Sequence, residues 1–101
     1  MCRRANCKIY ITGAMEDADL AKRARRTLIK IGHSVFVPGR LLLRDETEFP
    51  GLEADRDRRW IEAADLVLRL DHRDNASTLD EYYAFDCDKP VHDAREYVFG
   101  E

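Results

Sequence analysis

Four side chains with reactive chemistry stand at informative positions in this 101-residue chain: Tyr10, Asp57, Asp80 and Glu81. Tyr10 lies in the apolar run Lys8-Ile9-Tyr10-Ile11, which breaks at Thr12-Gly13-Ala14. Asp57 precedes Trp60 by three residues and Ile61 by four, so on a helix its carboxylate shares their inward face. Asp80 and Glu81 are neighbours in Ser77-Thr78-Leu79-Asp80-Glu81. Carboxylates of this kind serve acid–base or nucleophilic chemistry when their environments set their protonation states apart. Arg40, Asp74, Asn75 and Ser77 are the accompanying ligand-contact candidates, and Gly13 would let the backbone come close to a ligand.

Each of these residues also has a structural explanation. Tyr10 serves equally as a strand aromatic, and Asp57 as a first-turn acid complementing the helix dipole. The stretch from Ser77 to Glu81 holds two overlapping capping boxes, in which Ser77 would use Asp80 and Thr78 would use Glu81. One acid suffices for a cap, which leaves the other to explain. Cys2, Cys7 and Cys87 are odd in number with no CxxC pair, and are expected as free thiols. With His33, His72 and His92 they match no common zinc spacing, so neither a metal nor a cofactor is expected.

The elements that must position these groups follow from apolar periodicity. The opening strand leads into an amphipathic helix from Asp17 to Ile31, with Leu20, Ala21, Ala24, Leu28 and Ile31 inward and Gly32 as its stop. Ser34-Val35-Phe36-Val37 reads as a second strand closed by Pro38-Gly39, and a long loop runs on to about Leu52. A helix over 54–64 and a strand over 65–70 come next. A third helix spans Ser77 to about Cys87, and Lys89-Pro90-Val91 leads into a short final strand or extended tail. Strand and helix in alternation imply an α/β fold, three layers with a short parallel sheet. Ligands then bind beyond the carboxyl ends of the strands, where Thr12-Gly13-Ala14, Pro38-Gly39-Arg40 and the stretch from Asp71 to Ser77 lie.

Composition bounds the function. With 45% apolar residues, the chain supports one core and a single domain over residues 1–101. The net charge of −3 offers no broad footprint for a nucleic acid polymer, which favours a small-molecule ligand. No apolar run is long enough for a signal peptide or a membrane span, so no membrane partner and a cytoplasmic location are expected.

The segments "KIYITGAM", "IGHSVFVPGRL", "DRRWIEAADLVL" and the stretch from Asn75 to "KPV" resemble the nucleoside 2-deoxyribosyltransferase superfamily, including its deoxynucleoside 5′-monophosphate N-glycosidases and short relatives. The resemblance runs from Lys8 to Val91. It implies a flavodoxin-like, Rossmann-like fold and cleavage or exchange of a nucleoside or nucleotide N-glycosidic bond through a covalent glycosyl-enzyme intermediate. In that mapping Tyr10 orients the nucleophile, and Asp57, eight before Asp65, is linked to proton transfer at the base. Counted forward from Asp65, the nucleophile is Glu81. Counted backward from Ala84 and Lys89-Pro90-Val91, it is Asp80, which on a helix shares a face with Tyr83, Ala84 and Cys87. Glu81 is preferred because its longer side chain is the family's type. Where the family's loop is rich in glycine, this chain has Asn75-Ala76-Ser77-Thr78.

The alternative is a non-catalytic nucleotide-binding or sensing module on the same fold, consistent with that glycine-poor loop. A third reading is a small interaction protein whose acids are caps and whose first helix, basic through Lys22, Arg23, Arg25, Arg26 and Lys30, binds an acidic partner. If the ligand is a nucleotide, its phosphate is expected near Ser77 with Arg40 as a clamp. A chain too short to enclose a nucleoside by itself, together with the apolar Tyr97-Val98-Phe99, makes a homodimer or higher homo-oligomer the expected assembly.

Overall fold

The computed structural model describes residues 6–42 and 50–98. Strands β1 (Lys8–Thr12), β2 (Ser34–Phe36), β3 (Leu66–Arg69) and β4 (Val91–Asp93) alternate with helices α1 (Ala18–Ile31), α2 (Pro50–Ala63) and α3 (Asn75–Asp86), and a short helix α4 (Ala94–Val98) follows. The strands form one parallel sheet in the order β2-β1-β3-β4. This is the expected three-layer α/β architecture.

Period-two alternation along the central strands divides the core between two faces. Ile9 and Ile11 of β1, with Leu66 and Leu68 of β3, pack against Ala21, Ala24 and Leu28 of α1 and Ala94 of α4. Tyr10 and Val67 point the other way, onto Ile61 and Ala64 at the end of α2 and Ala84 of α3. β1 and β3 are buried on both sides, which is why their sequences read as near-continuous apolar runs. Each buried Leu or Ile contributes about 1.5–3 kcal/mol.

Several expected boundaries shift. α1 ends as expected at Gly32, whose φ of 111° is the left-handed conformation that only glycine adopts without strain. Ile31, expected inward, is exposed. The loop after β2 contains a 3-10 turn at Gly39–Leu42, and α2 already begins at Pro50. The intervening 43–49 lie outside the described residues, as does Phe99. Tyr97 of α4, expected in an exposed apolar tail, packs instead on the α1 face of the core. Cys7 is fully buried and disulfide-bonded while Cys87 is free, which corrects the expectation of free thiols throughout. No helix among the described residues is long and apolar enough to cross a membrane.

Candidate active site

Because β1 has β2 on one side and β3 on the other, the chain's direction of winding reverses between β1 and β3. Open sheets of this kind leave a crevice at that reversal, beyond the carboxyl ends of the strands. The end of β1 lies there, in register with β3: Tyr10 opposite Val67 and Thr12 opposite Arg69. Tyr10 and Thr12, two residues apart, share the face toward α2 and α3. Both are fully buried.

Their hydroxyls meet Asp80 of α3. Tyr10 OH donates to Asp80 Oδ2 at 3.1 Å and Thr12 Oγ1 to the same oxygen at 2.8 Å. A third donor comes from the 3-10 turn after β2. There Pro38 and Leu41 are buried, and the latter is anchored in the α1-side core. Arg40, between them, reaches over the site. One terminal guanidinium nitrogen donates to Asp80 Oδ2 at 3.0 Å and to the Gly13 carbonyl at 3.5 Å. The other stands 3.7 Å from Asp57 Oδ2. Asp57 is buried on the inward face of α2, as its spacing from Trp60 and Ile61 requires. Arg40 thus links the two carboxylates, and its buried Nε has no hydrogen-bond partner among the described residues.

The electrostatics follow from this packing. Burial pushes the Tyr10 phenol well above its ordinary range. The charges of Asp80 and Asp57 and the hydrogen bond to Asp80 act in the same direction, against the opposing pull of Arg40. Tyr10 therefore remains a protonated donor. Burial works against the Arg40 charge, yet the adjacent Asp80 carboxylate more than offsets it and raises the guanidinium further. Tyr83, which donates to Glu62, is pushed up to about 12, chiefly by that hydrogen bond.

Glu81 is elsewhere. It is buried on the α3 stripe formed with Ser77 and Ala84, but its carboxylate accepts from Arg73 Nε at 2.9 Å and lies 3.8 Å from an Arg69 terminal nitrogen. Of the two neighbouring acids, the fold brings Asp80 to Tyr10 and commits Glu81 to an arginine cluster. Neither acid caps the helix. Asp74 is the N-cap, accepting from Ser77 N at 2.8 Å while Asp74 N donates to Ser77 Oγ at 2.8 Å. The helix thus starts before Ser77, and both acids lie beyond its first turn. Asp74 and Ser77 satisfy each other, and Asn75 is exposed in the first turn. An Asp carboxylate occupies the α3 N-terminus where a phosphate was expected.

Asp80, Asp57 and Arg40 line a hollow of about 130 Å³ together with Arg58, Ala76, Leu79 and Tyr83. Sites that enclose drug-sized ligands run to about 300–1,000 Å³, so the described residues bound a subsite and not a full enclosure. Gly13 has a structural role of its own. A Cβ there would stand 2.7 Å from Leu70 Cβ, so the missing side chain lets β1 and β3 close up at their ends. Among the described residues no group of three or more His, Cys, Asp or Glu side chains is arranged to hold a metal ion.

The chain is similar in fold to a 2-deoxyribosyltransferase. The solved structure of that protein, from the psychrotolerant bacterium Bacillus psychrosaccharolyticus, matches with a TM-score of 0.63 and 23% sequence identity, covering 82% of this chain and 68% of its own. No protein-family model and no curated protein matches the sequence.

Thr12 lies in one of the ligand-facing stretches but is not among the side chains the sequence marks for chemistry. Its position two residues after Tyr10 on a strand is the signal that finds it, because period two places both hydroxyls on one face. A second missed group joins the β1 and β3 loops. Asp17, buried at the start of α1, accepts from His72 N at 2.6 Å and pairs with His72 Nδ1 at 2.9 Å.

Proposed function

We propose that this chain binds a nucleoside or nucleotide at the carboxyl edge of the sheet and breaks or exchanges its N-glycosidic bond through a covalent intermediate, with Asp80 as the nucleophile. The observation that carries the reading is the convergence of Tyr10, Thr12 and Arg40 on the Asp80 carboxylate, with Asp57 joined to it through Arg40. The fold-level likeness to a 2-deoxyribosyltransferase supports it.

In this reading Asp80 attacks C1′ as positive charge builds on the sugar, and the C1′–N bond breaks with its electron pair leaving on the base. Asp57, taking up a proton as substrate binds, donates it to the departing base and recovers one from the attacking water or acceptor base. Water or a second base then attacks C1′, and the bond to Asp80 breaks with its electrons returning to the carboxylate. The test is incubation with deoxynucleosides and their 5′-monophosphates, with and without an acceptor base. Base release or exchange is expected, lost in Asp80→Asn and retained in Glu81→Gln. Loss in Glu81→Gln with activity kept in Asp80→Asn would reverse the assignment.

One observation favours a second reading. Arg40 is already engaged by both carboxylates, as suits a nucleotide-binding module without chemistry. Nucleotides that raise the melting midpoint while no base is released from any substrate would establish it.

A further inference from the structure

Among the described residues, every hydrogen bond to the Asp80 carboxylate lands on one atom. Tyr10 OH, Thr12 Oγ1 and the Arg40 guanidinium all donate to Oδ2, and Oδ1 receives none from the described residues. A carboxylate offers about four lone-pair sites over its two oxygens, so three donors saturate Oδ2 and leave it no electron pair aimed at carbon. We infer that Oδ1 is the attacking oxygen of the glycosyl transfer, and that Thr12 is a positioning residue that holds the carboxylate with this oxygen free. The inference rests on the functional reading above.

Thr12 is suited to that task in a way Arg40 is not. It is fully buried on a central strand, and its β-branched side chain is stiff about χ1, so the direction of its hydroxyl is set by the sheet. Arg40 arrives on a turn, at the end of a long side chain that also contacts Gly13 and Asp57. Tyr10 and Thr12 hold the carboxylate from the strand beneath, and Arg40 holds it from above.

The electron bookkeeping agrees. As Oδ1 forms its bond to C1′ and the C1′–N pair departs with the base, Oδ2 becomes the carbonyl oxygen of an ester. When water or a second base displaces the enzyme from C1′, the pair returns to Oδ1 and the carboxylate is restored. The three donors then face an anion again, which they bind more strongly than the ester. They stabilise Asp80 as a leaving group in that second step, and throughout they keep Oδ1 toward the sugar.

The experiment compares wild type, Thr12→Val and Thr12→Ser in the base-release assay, with melting midpoints alongside. Valine keeps the volume and removes the hydroxyl, whereas serine keeps the hydroxyl. Loss of one charge-assisted hydrogen bond corresponds to a fall in kcat of roughly tenfold to a hundredfold, with KM within about twofold. Thr12→Ser should restore most of kcat. In a crystal structure trapped with a slow 2′-fluoro nucleoside, the ester carbonyl oxygen, and not the oxygen bonded to C1′, should contact Tyr10 and Thr12. Wild-type kcat in Thr12→Val, serine no better than valine, or the sugar bonded to the oxygen that contacts Tyr10 would overturn the inference while leaving the enzyme reading intact. Absence of base release from wild type itself would overturn that reading, and the attack step with it.

Discussion

At the residue scale, two adjacent acids have separate fates. Asp80 collects two hydroxyls and an arginine at the end of β1, and Glu81 collects Arg73 and Arg69 at the end of β3. Glu81→Gln should therefore cost modest stability, below about 1 kcal/mol, because both of its arginine partners are exposed enough to be resolvated. Urea denaturation measures this directly. Tyr10 makes a pH-dependent contribution of known sign. Its folded-state pKa is raised, so the stability it confers is complete below about pH 10, the ordinary tyrosine value, and is lost as pH rises through the folded value. Tyr10→Phe should flatten the alkaline decline in stability between pH 9 and 11 relative to wild type. An equal decline in both proteins would show that Tyr10 does not titrate with folding.

At the element scale, α3 depends on Asp74 for its start, since that side chain satisfies a backbone donor in the first turn. Asp74→Ala should cost about 0.5–2 kcal/mol, and Asp74→Ser should recover most of it. An unchanged denaturation midpoint in the alanine variant would remove the capping role. The β3–α3 loop is tied to α1 through His72, which faces Asp17 and Glu16, and whose neighbour Asp71 is held by Arg95 of α4. The hydrogen bond to Asp17 raises the His72 pKa, helped by the charges of Asp17 and Glu16. That stabilisation is complete below about pH 6.5 and fades as pH rises through the folded value. Melting midpoints from pH 5.5 to 8.5 should fall in wild type and fall less in Asp17→Asn.

At the scale of the whole molecule, both nucleotide readings turn on what the crevice accepts. With a nucleotide at a hundred times its Kd, native-state binding adds about 2.7 kcal/mol, a rise in midpoint of roughly 10–20 °C for a domain of this size. A scan of nucleosides and 5′-monophosphates in which none shifts the midpoint would reject both nucleotide readings. The phosphate expectation is weaker than the sequence made it, because Asp74 already occupies the α3 N-terminus and Arg40 is engaged by two acids. A homo-oligomer remains the expected assembly. α3 leaves Leu79, Tyr82 and Phe85 exposed at helical spacing, and Leu79 also borders the hollow. Light scattering at micromolar concentration should give at least twice the 11.7 kDa chain mass.

The sequence by itself determined the alternation of strand and helix, the end of α1 at Gly32 and the inward face of Asp57, because each depends on periodicity or backbone conformation within a few residues. The choice between Asp80 and Glu81 was beyond it. That choice depends on the rotational setting of α3 against the sheet, which is fixed by burial of Ser77, Glu81 and Ala84, and on the strand order that puts the end of β1 under α3. The partners of Asp80 lie 40, 68 and 70 residues away along the chain. Gly13 shows the same limit. Its sequence context fits an approach to a ligand as well as an approach to Leu70, and only the register of β1 on β3 brings Leu70 there. Contacts of this range are set by packing of the whole core, so tertiary structure alone decided which carboxylate meets Tyr10.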